Sequence, residues 1–361
     1  MDQYVGQPQF LKEVNYNIVN NLIAEKGPIS KPQISQITGL SLPTVNKIVY
    51  YLEGQKRIKE AGTTTGLGRK AILYVTNEEL GNILTLSLNG KSFTCCVVNM
   101  IGDIIHRFTT ELDTTDYDSS IRCVMSAVER LMDNCSAKVM SIGVGLPAWV
   151  GLSGVVINAP TVPVWNNVDL RKVLSDQFNV PVYVESNVRF ATIGYYAWTL
   201  KKAYHDMVYI SVDKELSSGM ILNDKLYSGY SCFAGACGYM SISENIPKGK
   251  LLGDYVSEIV EKMRVTEERD TLIQLRKELV TLLADVIINY ISVVNPEIIV
   301  LDGPVINKEL AKEISDYINK VIPQMSIPTI LVDNNSMSDT YGIITWCKYK
   351  MNTGYNIIKD A

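Results

Sequence analysis

From Val139 to Val168 the chain runs thirty residues without a charge. Such a stretch must be buried or cross a bilayer, and a spanning helix needs only about 20 apolar residues. Gly143, Gly145, Pro147, Gly151, Gly154, Pro160 and Pro163 punctuate it. Glycine and proline at that density break a helix. The run therefore predicts buried strands and tight turns in an α/β core, not a membrane span. A strand apolar on both faces needs a sheet covered on both sides, so helices must flank it.

The rest of the chain supplies them. Ile83–Leu88 and Phe93–Val98 alternate as strands around the Asn89-Gly90 turn signal, with a further strand at Ile104–Thr110. Helices are predicted over Ser119–Asp133, Val168–Phe178 and Arg189–Lys201, and strands over Val139–Val144 and Val182–Glu185. A second set follows: strands at Met207–Val212, Gly219–Leu222 and Lys225–Tyr227, a long helix at Glu267–Val294, a strand at Glu297–Leu301 and a helix at Lys308–Val321. Two successive α/β units, each opening with a hairpin, predict a two-lobed body with a cleft between the lobes. At 361 residues, 47% apolar and 20% charged, the chain has material for more than one core and no signature of disorder.

The net charge of −4 excludes a chain that is basic throughout. Residues 1–80 nevertheless hold nine Lys/Arg against seven Asp/Glu. Within them Ile18, Val19, Leu22 and Ile23 form a helical stripe ending at Gly27-Pro28. Ser30 can cap a second helix with Ile34 and Ile37 inward, and Ser41 a third with Pro43 in its first turn. Val45, Ile48, Val49 and Leu52 give the third helix a core face, leaving Thr44, Asn46, Lys47, Tyr50 and Tyr51 outside. Strands at Arg57–Ala61 and Ala71–Val75 then flank a glycine-rich tip followed by Arg69 and Lys70.

Two short helices and a polar-faced second one, followed by a basic hairpin, match a winged helix-turn-helix. The expected DNA contacts are Ser41, Thr44, Asn46, Lys47, Tyr50, Arg69 and Lys70. Hydroxyl and amide groups reach base edges, while cations reach phosphates or the minor groove.

Seven cysteines without a CxxC pair are expected to be reduced thiols, and MDQYVGQPQF lacks the pattern of a signal peptide. Both point to a cytoplasmic protein.

The run GPISKPQISQITGLSLPTVNKIVYYL with GLGRKAILYVTN resembles the winged helix-turn-helix of ROK-family transcriptional regulators. VGLPAWVGLSGVVINAPTVPVWNNVDL, VPVYVESN, GYSCFAGACGYM and PEIIVLDGPV resemble the actin-like, sugar-kinase-like body of the same family, in the family's order. The resemblance implies residues 1–76 as the DNA-binding domain, 77–195 plus 335–361 as a first α/β lobe and 196–334 as a second. It also implies a homodimer or homotetramer, a double-stranded DNA operator, and a sugar or sugar-derivative effector.

The family also contains sugar kinases, and the kinase positions depart here. The Asp-x-Gly-Gly-Thr-like phosphate loop falls on Ser87-Leu88-Asn89-Gly90-Lys91, and the second phosphate loop on Val212–Gly219, with Asp213 and Glu215 facing any phosphate. The catalytic base of the Glu-Asn-Asp run is an amide in Glu185-Ser186-Asn187, and an amide cannot take a proton at neutral pH. Glu-x-Gly-His becomes Ala236-Cys237-Gly238-Tyr239, and no Cys follows in Ser241–Val256 to hold the family's zinc. The expectation is a repressor of carbohydrate-metabolism genes that is not an enzyme, with no cofactor or metal; the alternative is a ROK-type sugar kinase with an appended helical domain. The effector cleft is expected to be lined by Thr161, Trp165, Glu185, Ser186, Asn187 and Tyr239.

Overall fold

The computed structural model describes residues 8–64, 70–241 and 246–352. The N-terminal portion comprises α1 (Pro8–Lys26), β1 (Ile29–Ser30), α2 (Lys31–Thr38), α3 (Leu42–Gly54), β2 (Ile58–Thr63) and β3 (Ile72–Thr76). The three strands form one small antiparallel sheet, β1-β3-β2. Ser30 starts α2 through a capping box, its backbone N–H and hydroxyl both donating to Gln33 Oε1 at 3.0 and 2.7 Å. Gly39 ends α2 at φ 71°, where a side chain would be strained.

Val19, Leu22, Ile23, Ile34, Val45, Ile48, Val49, Leu52, Ile58 and Tyr74 close the core of this portion. Ile18 and Ile37, assigned inward by periodicity, instead stand 43% and 51% exposed. In a bundle this small each helix docks by a stripe narrower than its apolar face, and these two flank it. Tyr51 is not simply outward either: it stacks on Tyr16 of α1, ring centroids 4.7 Å apart.

The body begins with β4 (Asn82–Asn89), β5 (Ser92–Asn99), β6 (Ile104–Glu111), α4 (Tyr117–Asp133) and β7 (Val139–Leu146). Then come β8 (Trp149–Val150), β9 (Val155–Asn158), β10 (Val168–Asp169), α5 (Leu170–Phe178), β11 (Val182–Ser186) and α6 (Asn187–Gly194). The uncharged run is β7 to β10 with their turns, and no described helix is long and apolar enough to cross a membrane. The second half holds β12 (Met207–Val212), β13 (Leu216–Leu222), β14 (Lys225–Tyr227), α7 (Leu252–Val265) and α8 (Arg269–Val294). It closes with β15 (Ile298–Asp302), α9 (Lys308–Ile318), β16 (Thr329–Val332) and α10 (Ser338–Asn352).

Two five-stranded sheets result, β11-β7-β4-β5-β6 and β14-β13-β12-β15-β16. Each is built alike: a three-stranded antiparallel meander whose first strand pairs in parallel with a later strand, which in turn pairs in parallel with another. The duplication lies in topology, not in residues.

Side chains alternate across β4. Leu84, Leu86 and Leu88 face α4 and α5, while Ile83 faces α6 and α10. The second sheet buries Val208, Ile210 and Val212 against α7, α8 and α9. Its other face, with Met207, Tyr209 and Val300, packs on Ala191, Tyr195 and Tyr196. The segment from 187 onward thus lies between the sheets.

Several boundaries differ from expectation. The helix expected at Arg189–Lys201 begins at Asn187 and becomes a π-turn at Tyr195–Thr199, where two large buried rings face the second sheet. Val168 and Asp169 pair with β9 before Asp169 caps α5 at Lys172 N. Helices α7 and α10 carry no strong helix-start signal and lie outside the expected set. The body also touches the N-terminal portion: Glu25 Oε1 of α1 meets Lys202 Nζ at 2.5 Å.

Helix α10 crosses α6 through glycine. A Cβ on Gly194 would strike the Ser338 carbonyl oxygen, and one on Gly342 the Phe190 carbonyl oxygen. Neither obstacle is a flexible side chain. Gly342→Ala is expected to destabilise the body by about 1–3 kcal/mol, as overpacking does. A lowered urea midpoint with unchanged slope checks it.

Candidate functional site

A cleft of about 690 Å³ opens between the sheets, at the carboxyl ends of β7, β11, β12 and β15. Ligand sites of open α/β sheets form at such ends. Its lining divides by chemistry.

At one side β11 delivers Glu185 and Ser186, and α6 starts at once with Asn187. Glu185 Oε2 pairs with Arg189 Nη1 at 3.0 Å, both largely buried, and Glu185 Oε1 accepts from the Ser186 N–H at 2.8 Å. Asn187 Nδ2 donates to the Leu88 carbonyl at 2.6 Å. A Cβ on Gly145 would meet Asn187 Oδ1, so only glycine at that point of β7 leaves the amide its place.

The buried polar atoms of the cleft without a hydrogen-bond partner include Thr161 Oγ1, Ser186 Oγ and Asn187 Oδ1 on this side, besides Arg189 Nε and, opposite, Asp213 Oδ1 and Glu215 Oε1. Unpaired buried polar atoms are costly, and several converging on one cavity suit a ligand rich in hydroxyls.

The opposite side is acidic. Asp213, Glu215, Asp302, Asp333 and Asp339 all line it, with Lys214 as the facing cation. Tyr209 Oη and Ser338 Oγ donate to Asp333 Oδ2 at 2.8 and 2.6 Å, and Ser87 Oγ donates to Asp339. Burial, then the charge of Asp333, pushes Asp302 up to about 6. Burial alone pushes Glu215 up to about 7, and it also raises Asp339. Lys214 crosses from the β12–β13 turn toward the β4–β5 turn, its Nζ 3.4 Å from where a Cβ on Gly90 would stand. This is the place where the sequence aligns both phosphate loops. Carboxylates in a confined cleft repel a polyphosphate.

Of the expected cleft residues, Thr161, Glu185, Ser186, Asn187 and Tyr239 line the cavity. Trp165 does not. It is fully buried in the core between the first sheet and α4 and α5, 6.3 Å from the Phe93 ring, with Nε1 donating to Ser120 Oγ at 2.8 Å. An indole able to bury its whole surface and pair its N–H belongs to the core.

Sequence reasoning missed Asp302, Asp333, Asp339, Trp149 and Phe233 as lining residues. Asp302 carried a readable sign, a carboxylate ending an apolar parallel strand before Gly303-Pro304. The others had none. Cys232 and Cys237 are buried thiols, and burial pushes Cys237 up to about 12. Among the described residues no three His, Cys, Asp or Glu side chains are placed to hold a metal ion.

In the N-terminal portion, Ser41 accepts from Thr44 N at 3.4 Å, and the two hydroxyls lie 2.8 Å apart. Ser41, Asn46, Lys47 and Lys70 are exposed, Thr44 is half-buried, and Tyr50 stands 80% exposed. Arg69 lies outside the described residues.

Residues 83–251 match the ROK family. The chain carries a ROK-family domain. The xylose repressor of Caldicellulosiruptor bescii is 27% identical over 246 residues, 66% of this chain, and the match spans 61% of that repressor's length. A solved ROK-family transcriptional regulator, described as a homologue of the Escherichia coli MLC protein, superposes with a TM-score of 0.80 at 19% identity. It covers 95% of this chain and 98% of its own. A protein of Listeria monocytogenes described as an N-acetylmannosamine kinase superposes at 0.61 and 17% identity, covering 74% of this chain and 99% of its own. The body thus has the ROK sugar-kinase-like fold, and the regulator shares more of the chain than the kinase does.

The buried carboxylates give the body a pH dependence. A raised folded-state pKa means the native state binds the proton more tightly than the unfolded chain. Stability is then greatest below the unfolded carboxylate range and is lost as pH rises to about 6 or 7. Urea melts should show Asp302→Asn and Glu215→Gln each gaining on the parent at pH 8 and losing that gain at pH 4.

Proposed function

We propose that the protein is a DNA-binding transcriptional repressor of carbohydrate-metabolism genes whose ROK body senses a sugar and does not phosphorylate it. The observation that carries the reading is α3. Its inner residues Val45, Ile48, Val49 and Leu52 are buried, while Asn46, Lys47 and Tyr50 are exposed. A helix so divided is a reading head, and the N-terminal portion is a winged helix-turn-helix. Asn46 and Thr44 read base edges, and Ser41 and Tyr50 flank them. Lys47, Lys70 and Arg69 hold phosphate or enter the minor groove. The names of the xylose repressor and the MLC-like regulator support the same reading.

In the body, the amide of Asn187 stands at the base position and is tied to Leu88 O. It can orient a sugar hydroxyl but cannot deprotonate it. The carboxylates opposite disfavour ATP. A sugar hydroxyl would instead satisfy Thr161, Ser186 and Asn187, with Glu185 and Tyr239 alongside. The sugar then biases lobe closure only by its difference in affinity between the two arrangements. In a symmetric homodimer or homotetramer, closure would alter the spacing of the two reading heads on a palindromic operator.

Selection of bound duplexes from a random pool by the purified chain should return a two-fold-symmetric site. On that site Lys47→Ala should lower the slope of log affinity against log salt by about one phosphate contact, while Asn46→Ala relaxes base preference. Failure of the pool to enrich any duplex would sink the DNA-binding reading, and a slope unchanged by Lys47→Ala and Lys70→Ala together would sink the assignment of the phosphate contacts to α3 and the hairpin.

A coupled assay with ATP, magnesium and a hexose and pentose panel should show no turnover. Turnover lost on Asn187→Ala would make the body an enzyme.

A further inference from the structure

Beside the pocket of unpartnered hydroxyls the cleft has an aromatic wall. Trp149 of β8, Phe233 of the loop after β14 and Tyr239 of the turn Cys237–Tyr239 line the cavity together. The Trp149 and Phe233 centroids are 4.9 Å apart, and those of Phe233 and Tyr239 5.3 Å, with both pairs tilted. Phe233 stays 39% exposed and Tyr239 54%. The tilted rings pack on one another, and Phe233 and Tyr239 keep part of their surface exposed.

Buried aromatics complete a core, but these do not. They stand on the same cavity as Thr161 Oγ1, Ser186 Oγ and Asn187 Oδ1, which are buried and unpaired. Asn158, paired in register with Trp149, and Asp254 of α7 add polar groups to that lining. Aromatic faces with polar atoms at their edges suit a pyranose ring, which has an apolar face and a hydroxylated rim. The carboxylates of the opposite side argue that the ligand is uncharged rather than phosphorylated.

We propose that Trp149, Phe233 and Tyr239 form a second saccharide subsite. It takes the next ring of a neutral di- or oligosaccharide whose first ring occupies the Thr161, Ser186 and Asn187 pocket. This rests on the sugar-sensing reading above. The wall draws on both lobes: Trp149 follows the first sheet's β7, its Nε1 donating to Ser231 O at 3.3 Å, and Phe233 and Tyr239 follow the second sheet's β14. A second ring on it therefore favours the arrangement in which the lobes meet, and a longer ligand is the stronger effector.

Calorimetry on the full chain tests this with matched pairs: glucose against cellobiose and maltose, and xylose against xylobiose. At least one disaccharide is expected to bind tenfold or more tightly than its monosaccharide. Phe233→Ala, at a part-exposed position, should abolish that gain and leave the monosaccharide Kd within twofold. Trp149→Ala should act likewise, and Asn187→Ala should weaken both ligands. Unaltered thermal melting of the ligand-free variants establishes that they fold. If monosaccharides bind and no disaccharide gains over them, or if Phe233→Ala weakens both lengths alike, the second subsite is wrong and the sugar-sensing reading survives. If no saccharide of either length binds, the sugar-sensing reading falls and takes the subsite with it.

Discussion

The body depends on one short helix shared by two sheets. Phe190 and Ile193 of α6 pack with the first sheet, while Ala191 packs with the second. Each contact allows almost no thickness. Gly145 makes room for Asn187, Gly194 and Gly342 let α10 cross, and a Cβ on Gly219 would collide with Thr192. Close-packed interiors transmit displacement instead of absorbing it. The helix carrying Asn187 at its start therefore cannot move against one sheet without moving against the other. That is a sound physical basis for coupling a cleft to lobe geometry, whatever the cleft binds.

The same helix leads outward. After the π-turn at Tyr195–Thr199 the chain passes through Lys201 and Lys202, both at positive φ, and Lys202 meets Glu25 of α1. The ion pair is solvent-exposed and adds little stability on its own. Its interest is positional: the segment starting in the cleft ends against the N-terminal helices.

On the proposed reading, the cleft turns a sugar-kinase-like fold to another end. A kinase needs a base at the sugar hydroxyl and an anion cradle opposite. Here an amide is tied to a backbone carbonyl where the base would stand, and carboxylates occupy the other side. Asp302, Asp333 and Asp339 are kept tolerable by hydrogen bonds from Tyr209, Ser338 and Ser87, and by the raised proton affinity that burial imposes on Asp302 and Asp339. Such a pocket suits a neutral polyol better than a triphosphate.

Much of this architecture is legible in the amino-acid order alone. The Asn89-Gly90 turn, the alternation of β4 and β5 and the glycines of the uncharged run announce a sheet buried on both faces, because backbone conformation and side-chain period are local properties. The capped starts of α2 and α3 and the divided face of α3 are legible for the same reason, as is the amide at Asn187, whereas the inward face of α2 is legible at Ile34 but not at Ile37. What the sequence leaves open is which distant side chains meet. Trp165 and Trp149 sit in equally apolar surroundings along the chain, yet one seals the core and the other lines the cleft. Asp302, Asp333 and Asp339 come from three different element ends, and the aromatic wall joins residues of both lobes. Only the closure of two sheets around α6 decides such meetings. Burial depends on what packs overhead, and periodicity specifies a face without naming its neighbour.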